Sequence, residues 1–508
     1  MRPRLFLRSL KSRHHSLYTR RFGSQPSSTQ RISLKLSTKV PKRTVIEELG
    51  RHLANLPRAS INAQGGENSD YQHEVAIFAS RDFATWLGDE NFISGLLGTL
   101  FKSNANGKLH SRDLNVLYAV TDGLTPKQVF SEPQTGLSLL YSSANSILPG
   151  LWDSDDFGSN VNQDREASVS FLSNPLPRDT RSLEITLPLA NTVFQNGRRS
   201  TLFASKWQQG DNGIITRTLI QEKRAQKIRP HANSADHTNP ILPLLPLTPP
   251  RKIIAGLGNI VRQVEVDGST VPASKELEGL IPRVFDARSK RDQSYSPGPI
   301  GVWCWVIPPH VVEKQNLLSL KVFQAESSQS EADVSLEAVG TFSELISSGC
   351  RLHKILSGGG GWGLKQGLLS LDPETNYSLP DQDDVEMFIK AFQERDSPNP
   401  SEGLVTPGSY LMFCIEPHCT IKEIGSSQQI SPATVLGVAP NNDQELDAGN
   451  LSDKQVDIVD DHFGVISKTG LFLKALPHMT GINDTDKSAR QPQAFTTKVD
   501  FPRASFVL

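Results

Sequence analysis

The chain has 508 residues, with 53 Lys and Arg against 54 Asp and Glu, 37% apolar residues, 37 Gly and 33 Pro. This length exceeds what a single hydrophobic core usually organises, and the turn-rich composition excludes a coiled coil or a wholly disordered chain. Four cysteines (Cys304, Cys350, Cys414 and Cys419) are too few for a secreted disulfide framework. No apolar run reaches the roughly 18–20 residues of a membrane-crossing helix, since Pro243 and Pro246 break the longest candidate, 241–247.

The charge is unevenly placed. Residues 1–46 hold 12 Lys and Arg and no acid, which leaves 41 basic and 54 acidic residues, a net −13, on the rest. An acidic body argues against a general nucleic-acid binder, whose phosphate contacts need clustered cations. Residues 1–22 have the Arg- and Ser-rich, acid-free character of a mitochondrial transit peptide. On a helix Arg4, Arg8, Lys11 and His15 share one stripe, and Phe6, Leu10 and Leu17 another. Arg20, Arg21 and Phe22 resemble an arginine-directed cleavage site, giving a mature start near Gly23. The competing reading is a disordered basic arm for nucleic acid or acidic lipid. The exclusion of acids over so long a stretch favours import, with the matrix as destination and the import machinery as a partner.

Residues 23–43 read as a disordered continuation, so 1–43 form the address and its linker. Folded structure is expected from Thr44, which with Glu47 makes a capping-box pair ahead of Val45, Ile46, Leu49 and Leu53. A strand over 75–79, a helix carrying Phe92, Ile93, Leu96, Leu97, Leu100 and Phe101, and a strand over 114–120 closed by Thr121-Asp122-Gly123 predict a β–α–β unit with parallel pairing. Alternation over 183–187, then Asn196-Gly197, then the run 201–207 predicts a β-hairpin, because both turn residues tolerate positive φ. These elements make a first lobe, 44–221. Residues 222–252, with Pro240, Pro243, Pro246, Pro249 and Pro250, read as a linker.

A second lobe, 253–480, opens with an alternating strand, 259–266, and the turn Asp267-Gly268. Leu277, Leu280, Ile281 and Phe285 mark a helix, 302–307 and 318–323 strands, Val385, Phe388, Ile389 and Phe392 another helix, and 410–415 a strand. A closing hairpin joins 463–467 to 471–474, and 481–508 read as a tail. The fold class is therefore α/β (α+β), with two lobes, each a mixed sheet with packed helices and antiparallel hairpins.

The most unusual stretch is Gly358, Gly359, Gly360, Gly361, Trp362, Gly363 and, beyond Leu364, Lys365. Glycine lets backbone N–H groups approach an anion, and the lysine could neutralise it. The spacing is neither a P-loop nor a dinucleotide fingerprint. A flexible loop with Trp362 packed on the body and a ligand-contacting loop weigh equally here. Cys414, Glu416, His418 and Cys419 lack the second ligand pair of structural zinc, so no metal is assigned. In Trp303-Cys304-Trp305 the strand period puts both indoles on one face and the thiol on the other, which favours a core wall over a nucleophile. Neither His310 nor His353 can be placed beside it from sequence. The acids between Asp443 and Asp461 have no EF-hand spacing, and neither a nucleophile elbow nor a zincin motif occurs. No catalytic residue and no cofactor are assigned.

Three places carry a resemblance to the FIST family of sensory proteins, which pair an N- and a C-terminal FIST domain. They are the strand–helix–strand order ending in 114–120, the stretch 258–268 with its Asp-Gly turn followed by Pro272 and Ala273, and the strand 408–413 with the closing hairpin. The likeness covers about residues 45–475. The chain departs from the pattern at 121–126, where Thr121, Asp122, Gly123, Leu124, Thr125 and Pro126 replace the family's small-residue stretch, and no F-box segment is evident. The resemblance implies small-ligand binding, of amino acids or related metabolites, by a non-enzymatic mitochondrial sensor. Domain junctions commonly hold ligands, so the cleft between lobes is the expected site, with the Gly358–Gly363 loop, Trp362 and Lys365 as candidate contacts. The alternative is an enzyme whose phosphorylated or nucleotide substrate is held by the glycine-rich stretch and Lys365.

Overall fold

The computed structural model describes residues 29–55, 73–101, 112–127, 132–142, 147–153, 166–175, 182–210, 213–230, 237–327, 329–358, 367–377, 404–418, 433–440, 455–475 and 495–508. The fold is a mixture of helices and several mixed sheets. In its first part run β1 (Thr29–Leu36), α1 (Lys42–Asn55), β2 (His73–Ser80), α2 (Glu90–Leu100), β3 (Arg112–Thr121), β4 (Gly136–Ser142), β5 (Ser168–Ser173), β6 (Leu183–Pro188), the short α3 (Val193–Asn196), β7 (Leu202–Gln209) and β8 (Ile215–Glu222). There follow β9 (Ala225–Ile228), β10 (Asn239–Ile241), β11 (Leu245–Pro246), β12 (Arg251–Leu257), β13 (Ile260–Val266), β14 (Ser269–Pro272), α4 (Lys275–Arg291), β15 (Val302–Ile307), α5 (Pro309–Lys314), α6 (Glu331–Ser347), β16 (Arg351–Gly358) and β17 (Leu369–Leu371). The last strands are β18 (Tyr410–Ile415), β19 (Ala433–Val438), β20 (Val456–Asp460), β21 (His462–Ser467), β22 (Leu471–Ala475), β23 (Thr496–Val499) and β24 (Ser505–Val507).

The expected β–α–β unit is present: β2 and β3 pair in parallel, from His73 against Leu114 to Ser80 against Thr121. Both strands are near-continuous apolar runs because both of their faces are covered. Val75, Ile77, Val116 and Tyr118 meet Val45 and Leu49 of α1 and Phe92, Ile93, Leu96 and Leu97 of α2. Ala76, Phe78, Leu117 and Ala119 face a larger core that runs through the rest of the molecule. Asp89 caps α2 by accepting a hydrogen bond from Phe92 N at 3.1 Å. The seven-stranded sheet has the order β20-β1-β4-β2-β3-β7-β8.

Folded structure starts earlier than Thr44. β1 pairs with β4 on one side and β20 on the other, and buries Ile32, Leu34 and Leu36 against the helices. Its polar residues Arg31 and Ser33 are buried on the opposite face, so its composition imitates a polar linker while its period of two is that of a strand. The hairpin expected at Asn196-Gly197 is also corrected. Val193–Asn196 is a helical turn closed by Gly197 at φ 75°, and Asn196 Nδ2 donates to Thr201 Oγ1 at 2.8 Å. A left-handed glycine serves a helix end as readily as a hairpin, and β6 and β7 enter different sheets.

The described residues of 222–252 are no linker. β10 pairs with β24, β11 pairs with β18, and Leu242, Leu244, Leu245 and Leu247 are buried. Proline removes a backbone donor but is tolerated in short or edge strands, which is where Pro240 and Pro246 lie. Beyond them β12, β13, β17, β16, β15 and β18 pair in that order, and β18 returns to β12, closing a barrel. The predicted Asp267-Gly268 turn joins β13 to β14 with both residues at positive φ (50° and 78°). In place of the strand expected at 318–323 there is a 3-10 turn, Leu317–Ser319, followed by extended chain whose Phe323 is buried. The helix expected around 385–392 lies outside the described residues.

Two smaller sheets complete the fold: β10-β24-β19-β21, and β23-β22-β6-β5-β9. The closing hairpin is therefore corrected too, since β21 and β22 flank a bend at which the chain changes sheet. Nor is 495–508 a free tail. Phe501 and Phe506 are fully buried beside Phe78, Phe171 and Phe463 in the large core.

Candidate functional site

Of the sequence-predicted contacts, Gly358 is the last residue of β16 and pairs with Leu369. Gly359, Gly360, Gly361, Trp362, Gly363 and Lys365 lie outside the described residues. Gly367, at φ 80°, accepts a hydrogen bond from Ser274 N at 3.1 Å, at the entrance to α4.

A polar centre that the sequence did not single out sits at the carboxyl ends of β2 and β3. Parallel register brings Ser80 level with Thr121, and the next residues, Arg81 and Asp122, form an ion pair. Asp122 is 3% exposed and Arg81 33%. The other carboxylate oxygen of Asp122 accepts from Lys468 N at 2.7 Å. Backbone bonds from Asp122 N to Ile466 O (3.2 Å) and from Ile466 N to Gly123 O (3.1 Å) bind this loop to β21. Gly123 admits that approach, because a Cβ there would come within 2.9 Å of the Ile466 side chain. The Arg81 Nε is buried and has no hydrogen-bond partner. A guanidinium and a carboxylate, side by side at the ends of parallel strands, offer complementary charges to a zwitterion, at the edge where open α/β sheets place ligands.

Compared with protein-family models, curated proteins and solved structures, the chain matches none.

A second buried centre lies deeper between β1, β4 and β21. The Ser33 hydroxyl is 2.9 Å from His462 Nδ1 and 2.8 Å from the Ser138 hydroxyl, which donates to Gly464 O at 2.9 Å. Burial, and then the charge of Lys127, pull the His462 imidazole down from 6.5 to about 4, partly offset by the Pro126 carbonyl. The ring is neutral at ordinary pH, and it serves to join two sheets rather than to carry charge.

The cysteines separate by face. Trp303 and Trp305 enter the large core and Cys304 the barrel core, as strand alternation requires. Cys414 points with the indoles, and His418 stacks on Tyr295 at 4.8 Å. Cys419 lies outside the described residues. Burial raises the thiols of Cys304, Cys350 and Cys414 above their ordinary range, so none is an activated nucleophile. His310 sits on α5, whereas His353 lies directly across from Cys304. Arg81 and Asp122 had one readable signal, a charged residue just past each of two apolar strands. His462 and Ser33 had none, since 429 residues separate them.

Proposed function

We propose that the chain is a non-enzymatic, small-ligand-binding sensor of mitochondria, of the FIST type, whose ligand is an amino acid or a related zwitterionic metabolite. The observation that supports this most is the Arg81–Asp122 pair at the carboxyl ends of β2 and β3, at the junction with β21. Asp122 lies in the stretch 121–126, where the resemblance puts small residues, and with Arg81 it supplies the two charges that a ligand bearing an ammonium and a carboxylate needs. Import is supported by the acid-free N-terminus. Cleavage near Gly23 would also spare β1, which begins at Thr29.

The test is a thermal-shift screen of the amino acids on the full chain, with Arg81→Met as control. A ligand of the native state at 100 times its Kd adds about 2.7 kcal/mol, so a true ligand raises the wild-type Tm, and Arg81→Met abolishes the rise. If no amino acid shifts the well-folded wild type, the reading fails.

A further inference from the structure

We propose that the inner wall of the barrel binds one soft monovalent metal ion, of the Cu(I) or Ag(I) type, between Cys304 Sγ and His353 Nε2. Cys304 of β15 and His353 of β16 are direct cross-strand partners, so their side chains leave the same face of the sheet. That face is the barrel interior, shared with Val306, Leu411 and Phe413.

The tautomer of His353 follows from its hydrogen bond. Nδ1 is 2.8 Å from the Asp372 carbonyl oxygen. A carbonyl only accepts, so Nδ1 carries the proton and Nε2 presents a bare lone pair. That Nε2 is buried without a partner, on a residue 2% exposed. An orphaned buried acceptor is a cost that an ordinary core histidine avoids. A ring fixed through one nitrogen by a backbone carbonyl, with the other left open, is the arrangement of metal-ligating histidines. The support continues outward: the Asp372 carboxylate is 3.3 Å from Lys498 Nζ, which also meets Glu374 at 2.7 Å.

Charge selects the ion. The reaction is Cys–SH plus M⁺ giving Cys–S–M plus H⁺, with the proton leaving to solvent. One thiolate and one neutral imidazole cancel one positive charge, so the complex is neutral in a site where Cys304 is fully buried. A divalent ion would leave an uncompensated charge in an apolar core, which is prohibitive. Among the described residues no group of three or more His, Cys, Asp or Glu is placed to hold a metal. Two donors, one of them sulfur, suit the soft monovalent ions. Cys414 pairs opposite Trp303, belongs to the large core and cannot contribute.

The experiment titrates the reduced full chain, without oxygen, with Cu(I) against a chromophoric chelator, and with Ag(I) as a redox-inert probe. The expected result is one ion per chain, one proton released per ion, and X-ray absorption showing one sulfur and one nitrogen neighbour. Cys304→Ser and His353→Gln weaken binding at least about 10-fold, whereas Cys350→Ser and Cys414→Ser bind as wild type. The absorption spectrum is read on the wild type, so the test stands even if a variant fails to fold. Absence of tight binding, a coordination shell without sulfur, or Zn(II) binding as tightly as Cu(I) to these two atoms overturns the proposal.

Discussion

Arg81 and Asp122 are 41 residues apart in sequence and form an ion pair because β2 and β3 run parallel and in register. Asp122 is almost wholly buried and also receives Lys468 N, so it joins the seven-stranded sheet to the bend between β21 and β22. Asp122→Asn keeps an acceptor for Lys468 N but removes the charge facing Arg81, and should cost about 1–3 kcal/mol. Arg81→Met should cost at least as much, because it leaves the buried Asp122 carboxylate with its charge uncompensated and only Lys468 N bonded to it. Urea denaturation of both single variants and the double variant measures the coupling; additive losses would mean the pair contributes nothing as a pair.

A second ion pair is buried more completely. Arg288 on α4 binds Glu331 at the start of α6 through two bonds of 2.9 and 2.8 Å, and both side chains are under 10% exposed. Glu331 Oε2 also takes His418 N at 2.7 Å, and Arg288 donates to Glu416 O at 2.8 Å. Glu331→Ala strands a buried guanidinium and should cost about 3–5 kcal/mol. Arg288→Met with Glu331→Leu should recover only part of this, because the backbone groups of Glu416 and His418 stay unpaired. Full recovery in chemical denaturation would show that the 416–418 loop does not depend on the pair.

Much of the architecture was legible because it rests on local periodicity. The runs at β2, β3, β15 and β18 are apolar enough to name themselves, α2 shows its helical stripe, and Asp267-Gly268 makes the turn its chemistry requires. Where the reading failed, local chemistry was right and tertiary context chose otherwise. Gly197 takes the positive φ its residue type favours but ends a helical turn, and the prolines of 240–250 forbid helix but not edge pairing. Polar β1 looks like a linker in sequence because its buried Arg31 and Ser33 find partners some 400 residues away, in Thr434 and His462. Pairings at such separation leave no trace in a window of ten residues. The candidate site was half visible for the same reason: the strand ends were located, but parallel register, which makes neighbours of Arg81 and Asp122, is a property of the sheet.

The C-terminal segment offers a direct check on the corrected boundary. Phe506 of β24 is fully buried and pairs across Leu436 of β19 and Pro240 of β10. Phe506→Ala should cost about 3–5 kcal/mol, and deletion of 499–508 should remove the cooperative unfolding transition. A deletion variant that melts like the full chain would restore the reading of this segment as a tail.

His462 makes a prediction about pH whose sign is fixed by its environment. The ring meets the Ser33 hydroxyl and feels the Pro126 carbonyl and the cation of Lys127, and among the described residues no carboxylate is bonded to it. Its value falls from 6.5 in the unfolded chain to about 4 in the folded one. Above 6.5 both states hold the ring neutral and the residue adds no pH dependence. Between 6.5 and 4 the unfolded state binds a proton that the native state refuses, so stability falls as pH falls. Below about 4 both states are protonated and the loss levels off, at roughly 3 kcal/mol in total. Carboxylates held low in the native state, such as Asp89 by Lys42 and the Phe92 amide, lose their contribution only as pH falls below the ordinary 3.8, a separate window. The measurement is urea denaturation at a series of pH values from 7.5 to 4.5 for wild type and His462→Gln. The variant starts less stable but should show a flatter dependence, and the difference between the two curves isolates this ring from the other histidines. Parallel curves would mean that His462 takes up its proton in the folded protein, and that the Ser33–His462 contact tolerates an imidazolium.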